Sequence, residues 1–243
     1  MSSQVHDEND PALAILSEFI ESSKPILRAT AVMGLGIAYS GSNREDLKDL
    51  FLPIIGDTSL DIQISGMASF ALGQIFLGQG AKGDNEIAAA MCQTLMEMDP
   101  EQLKSPWMRF YILGLAMLFF GKQDASDAFV ETLKAIPHPI AQEAIVMLTM
   151  SSFAGTGEVL RIQQMLRLCA EKPDDEGKKD GEEEKKEEEN RENREEERRE
   201  AGKGEFHQSL AVLAIAAIAM GEDVGKELSL RHFGHLVLNA LVL

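Results

Sequence analysis

The stretch AVMGLGIAYSGSNRED, residues 31–46, holds an apolar, helix-like run that carries glycine at 34, 36 and 41. Glycine inside a helix costs about 0.5–1 kcal/mol relative to alanine. Two glycines within one turn therefore need a reason. Either neighbouring backbones approach closely there, or the stretch is a glycine-rich phosphate loop.

A repeat decides between the two. GLGIAYSG (34–41) is followed by ALGQIFLG (71–78), GLAMLFFG (114–121), LTMSSFAG (148–155) and AIAAIAMG (214–221). Each block is apolar and closes on glycine, at Gly41, Gly78, Gly121, Gly155 and Gly221. The spacings are 37, 43, 34 and 66 residues: three helix pairs, then one pair plus an insertion. A short polar turn and an amphipathic helix follow each block. In SNREDLKDLFLPII (42–55), Ser42 or Asn43 can cap the helix, Glu45 and Asp46 suit the first turn, and Leu47, Leu50, Phe51 and Ile54 share a face. DNEIAAAMCQTLMEMD (84–99) turns Ala88, Met91, Cys92, Leu95 and Met96 inward. KQDASDAFVETLKAI (122–136) turns Ala128, Phe129, Leu133 and Ile136 inward and Asp127, Glu131 and Lys134 outward.

The glycine-rich helices are apolar all round, so the pattern predicts their burial on every side, as the inner layer of an all-α solenoid. The closing glycine is predicted to end each inner helix in the left-handed region. The phosphate-loop reading fails: GxxxxGK[ST] is absent, and no strand precedes GLGIAYSG.

The net charge is −17, with 40 acidic and 23 basic residues, which argues against nucleic acid or an anionic membrane as a partner. The apolar runs are too short for a membrane span, and MSSQVHDENDP does not resemble a signal peptide. The chain therefore reads as a protein of the cytoplasm and nucleus. Cys92 and Cys169 sit in helical apolar patterns without CxxC spacing and read as reduced, partly buried thiols. Residues 1–9 read as a disordered N-terminus, 10–171 as repeats, 172–205 as an acidic low-complexity insertion, and 206–243 as a last, truncated set of repeats. From Glu171 to Glu205 there are 17 acidic and 10 basic residues and almost nothing apolar, so a disordered or frayed loop is expected.

GIAYSGSNRED, LFLPIIGD, GTGEVLRIQQMLRLC, the Lys/Glu insertion and GEDVGKELSLRHFGHL together resemble the large toroidal scaffold subunits of the proteasome regulatory particle, which are built from proteasome/cyclosome repeats. The resemblance runs from about residue 9 to 236. Family members are several times longer, and LVLNALVL (236–243) departs from their pattern, so the chain reads as a fragment or truncated form. The resemblance implies a non-catalytic scaffold and receptor without cofactors. Implied partners are the regulatory-particle ATPases, ubiquitin and ubiquitin-like domains, and a deubiquitinase.

It also implies a ubiquitin-receiving face on three outer helices, 43–55, 84–98 and 123–135. The positions that carry over are Asp84, Gln93 and Glu97, with Glu86 competing with Asp84 for one role. Ubiquitin offers a small apolar patch ringed by Arg and Lys. A stripe of Glu86, Ala90, Gln93, Thr94 and Glu97, flanked by Asp49, Asp127 and Glu131, suits it. A free-standing HEAT-like helical adaptor without a proteasome role is the alternative reading.

No other chemistry is suggested. His232 and His235 lie three apart without further ligands at helical spacing, so no metal is expected. Nucleophile patterns such as GxSxG are absent. Trp107 reads as an anchor for the helix it begins.

Overall fold

The computed structural model describes residues 10–80, 85–170 and 206–242. The expected disordered N-terminus at 1–9 and the acidic insertion at 172–205 lie outside the described residues. Among the described residues every regular element is helical. In chain order these are α1 (Pro11–Ile20), α2 (Pro25–Ala38), α3 (Glu45–Gly56), α4 (Ile62–Ile75), α5 (Glu86–Glu97), α6 (Pro100–Leu103), α7 (Met108–Leu118), α8 (Asp127–Lys134), α9 (Pro139–Ser152), α10 (Val159–Ala170), α11 (206–219) and α12 (Asp223–Val242). A 3₁₀ turn, Gln123–Ser126, leads into α8.

The helices stack in two layers. α2, α4, α7 and α9 pack successively against one another as the inner layer. The amphipathic α3, α5 and α8 lie outside them, α3 on α4 and α8 on α9. α4 buries nearly its whole circumference, including Ser65, Gly66, Ala68, Ser69, Ala71 and Gly73, and α9 does likewise. The other inner helices depart from all-round burial: Ile37, Phe110 and Leu213 are exposed.

The glycines allow the approach that the stacking needs. A Cβ on Gly36 would lie 2.6 Å from the Ala71 Cα. One on Gly73 would lie 2.4 Å from the Gly114 carbonyl oxygen, and one on Gly114 would lie 2.2 Å from that of Ser69. All these obstacles are backbone, which cannot turn aside. The Ser69 hydroxyl donates to the Tyr111 carbonyl at 2.7 Å, so this buried hydroxyl is satisfied across the seam.

The closing glycines all take positive φ, between +67° and +91°, as the repeat pattern predicts. Each of the first four donates its N–H to the next inner helix: Gly41 to the Gln74 carbonyl (2.8 Å), Gly78 to Met117 (3.0 Å), Gly121 to Ser151 (3.0 Å) and Gly155 to Ala217 (2.8 Å). The acceptor always lies four residues before the next closing glycine. A second bond often follows two residues on, from Asn43 to Ile75, Gly80 to Leu118 and Gly157 to Ile218. Asn43 thus enters the seam at φ +56° instead of capping α3, whose N-cap is Arg44 without a side-chain bond. Glu45 and Asp46 do occupy the first turn of α3.

Glu143 on α9 is a buried carboxylate within this apolar layer. Arg109 of α7 donates to it from Nε at 3.3 Å and lies 3.6 Å over the ring of Phe206, where α11 begins. Burial pushes the Glu143 carboxyl above its ordinary range, and Arg109 offsets only part of that shift.

Two outcomes follow from this packing. Gly73→Ala is expected to cost about 1–3 kcal/mol through overpacking. Gly121→Ala is expected to cost about 1–2 kcal/mol from its φ of +69° alone, since nothing lies within 4 Å of a Cβ there. Asparagine tolerates the left-handed region, so Gly121→Asn should cost less than Gly121→Ala, and Gly73→Asn more than Gly73→Ala; urea denaturation midpoints measure both orders. For Glu143, a carboxyl raised on folding supports the folded state fully below its unfolded value and loses that support as pH rises through the raised one. The stability of Glu143→Gln relative to the parent should therefore grow as pH rises above the ordinary carboxyl range of about 4, and a constant or shrinking difference would contradict this burial.

A candidate recognition face on the outer helices

α5 is the middle helix of the outer layer. Its N-cap Asn85 accepts from the Ala88 N–H at 3.2 Å and donates to the Gly80 carbonyl at 2.8 Å, which fixes where the helix begins. Ile87, Ala88, Met91, Cys92, Thr94 and Leu95 face the core. Glu86, Ala89, Gln93, Met96 and Glu97 are exposed and Ala90 is half-buried. These outward positions recur every three or four residues, so they form one continuous stripe.

Glu86, Ala90, Gln93 and Glu97 thus share the outer face as expected, with Asp49 exposed on α3 and Asp127 and Glu131 exposed on α8. Asp84 lies outside the described residues. Three expectations are corrected. Thr94 is only 4% exposed and belongs to the core, three residues after Met91 and seven after Ile87. Its hydroxyl donates to the Ala90 carbonyl at 2.9 Å and lies beside the buried Tyr111. Met96, expected inward, is 51% exposed. On α8, Ala128 is likewise exposed, not inward. A short helix with many small residues leaves its apolar face ambiguous by about one position, and the neighbours that settle it come from α7 and α8.

Ion pairs organise the face. Lys48 of α3 lies 2.7 Å from Glu45 and 3.3 Å from Glu86, so it links α3 to α5. Those two carboxylates hold its ammonium above the usual lysine range. Gln93 donates its side-chain amide to Glu97 at 2.9 Å. Arg161 of α10 lies 3.0 Å from Asp127 and 3.4 Å from Asp124, stacked 4.5 Å over Phe153. Glu131 pairs with Lys134 at 2.7 Å. Each contact is exposed and adds at most about 1 kcal/mol of stability, but together they fix where the carboxylates stand. The exposed Ala89 and Met96 supply apolar surface among them.

Burial pushes the Cys92 thiol up to about 12, so its thiolate is inaccessible at neutral pH. Among the described residues no group of His, Cys, Asp and Glu could hold a metal ion, and no helix is long and apolar enough to cross a membrane. His232 takes the Leu228 carbonyl as its ring partner at 2.9 Å.

These features define a class, an α-solenoid of stacked helix pairs that presents surfaces on its outer layer. The chain is 46% identical to the 26S proteasome regulatory subunit rpn1 of Schizosaccharomyces pombe, across 94% of this chain and 27% of that protein. It is 39% identical to the corresponding subunit rpn-1 of Neurospora crassa, across 98% and 24%. It is 37% identical to the 26S proteasome non-ATPase regulatory subunit 2 of Dictyostelium discoideum, across 98% and 23%. No family model matches the sequence. The chain belongs to the family of the 26S proteasome non-ATPase regulatory subunit 2, and it spans about a quarter of the length of the curated relatives it matches.

The orientation of α5 is directly checkable. Thr94→Arg forces a charge into the core and should cost several kcal/mol. The neighbouring Gln93→Arg should stay within about 0.5 kcal/mol of the parent. Chemical denaturation of the two variants reads the difference.

Proposed function

We propose that this chain is a scaffold and receptor segment of the proteasome regulatory particle, and that the face of α3, α5 and α8 receives ubiquitin or a ubiquitin-like domain. The observation that carries the reading is the outward stripe of α5, where Ala89, Ala90 and Met96 alternate with Glu86, Gln93 and Glu97. A partner with a small apolar patch ringed by Arg and Lys meets both kinds of group there. The names of the relatives support the setting, since all three are regulatory subunits of the 26S proteasome. In this role the chain catalyses nothing itself. Its partners are the regulatory-particle ATPases, the ubiquitin-like domains of shuttle factors and a deubiquitinase.

The contact is small and polar-rimmed, so an affinity on the order of micromolar is expected, with association that slows as salt rises. Titration of isotope-labelled ubiquitin with the chain, followed by NMR, tests it. The variant Gln93→Arg/Glu97→Arg should abolish most of the perturbation while remaining folded. Met96→Asp should weaken it independently, because it removes apolar surface without adding positive charge. Unchanged perturbation by both variants would place the receptor face elsewhere, and no perturbation by the parent would leave a helical scaffold without that role.

A further inference from the structure

Two methionines stand apart from the rest. Met96 on α5 is 51% exposed, and Met220, beside the closing Gly221, is 66% exposed. Every other described methionine is buried or half-buried. The cysteines are shielded as well. Cys92 is only 3% exposed. Burial raises the Cys169 thiol above its ordinary range too. Peroxides attack thiolates, a form that neither cysteine readily takes at neutral pH. A thioether has no proton to lose, so its reactivity follows its exposure. Met96 and Met220 are therefore the sulfurs that a peroxide reaches first.

We propose that Met96 is a peroxide-sensitive modification site that switches the recognition face, its sulfoxide weakening the contact with a partner's apolar patch and reduction restoring it. The inference rests on the receptor reading of α5 given above. In the chemical step a sulfur lone pair of Met96 attacks one oxygen of the peroxide and an S–O bond forms. The O–O bond breaks, and the second oxygen leaves as water or an alcohol. The thioether is oxidised to a sulfoxide while the peroxide is reduced. The position of Met96 makes this change count. It stands three residues after Gln93 and next to Glu97, whose side chains are joined at 2.9 Å. The apolar group is thus framed by polar ones and supplies a large share of the apolar surface there. A sulfoxide oxygen pressed against an apolar patch loses its water without gaining a donor, which opposes binding. In the free chain the same oxygen stays hydrated, so the fold is not disturbed. Oxidation at this position therefore acts on recognition and leaves stability alone.

Titration of isotope-labelled ubiquitin with the full chain, before and after brief treatment with hydrogen peroxide, tests this, while mass spectrometry reports the oxygen added at each methionine. Met96 and Met220 should be oxidised ahead of the other described methionines, with the urea midpoint unchanged. Binding should weaken at least about fivefold and recover after treatment with the two methionine sulfoxide reductases, one for each sulfoxide epimer. Each variant is compared with its own untreated form, so its starting affinity does not matter. Met220→Leu should keep the loss on oxidation, and Met96→Leu should abolish it. A reduced parent that does not bind ubiquitin would overturn the receptor reading and the switch together. A reduced parent that binds, and binds equally well once Met96 is oxidised, would overturn the switch alone. An equal loss from oxidised Met96→Leu and oxidised parent would do the same, and so would oxidation of buried methionines ahead of Met96.

Discussion

The amide of a closing glycine, turned by positive φ, reaches across to a carbonyl at the end of the next inner helix. The last carbonyls of any helix lack partners within it. In a buried layer they cannot turn to water, so each must find a donor or cost about 1–3 kcal/mol. Here the donor comes from the preceding repeat. The φ of about +70° aims the N–H at the seam, and a side chain there would be strained. One bond thus satisfies a buried carbonyl, ends a helix and sets the register between two repeats.

That register positions everything outside it. With Gly73 and Gly114 in backbone contact, α4 and α7 have no freedom to slide. α3, α5 and α8 rest on these helices, so the outward carboxylates inherit their spacing from the inner layer. Lys48 and Arg161 then hold neighbouring outer helices from the surface side. A recognition face assembled from three separate helices can be rigid only because the layer beneath it is.

Much of this was legible in the sequence. The recurrence of a closing glycine marked the helix pairs and their left-handed ends, since glycine takes positive φ without strain. Glu86, Gln93 and Glu97 were singled out by the family resemblance, and helical spacing put them on the outward face. Thr94 and Met96 were exchanged, because Ala88, Ala89 and Ala90 blur the apolar face and the burial of Thr94 depends on Tyr111, distant in sequence. The role of Asn43 was hidden for a similar reason. A residue that looks like a helix cap locally is claimed by the seam, whose acceptor, the Ile75 carbonyl, lies 3.2 Å away on another repeat.

The glycine bonds also give the stack a mechanical character. They cross the boundary between repeats, and only one loop of chain joins each repeat to the next. Tension applied at the two ends of the solenoid therefore loads the seams in series, with the short backbone bonds at each seam carrying the shear. Such a structure behaves as a spring with discrete coupled turns: it flexes while the bonds hold, and past a threshold it yields a repeat at a time, reeling out some tens of residues at each step. Each lost turn would leave its neighbour as the template on which it reforms.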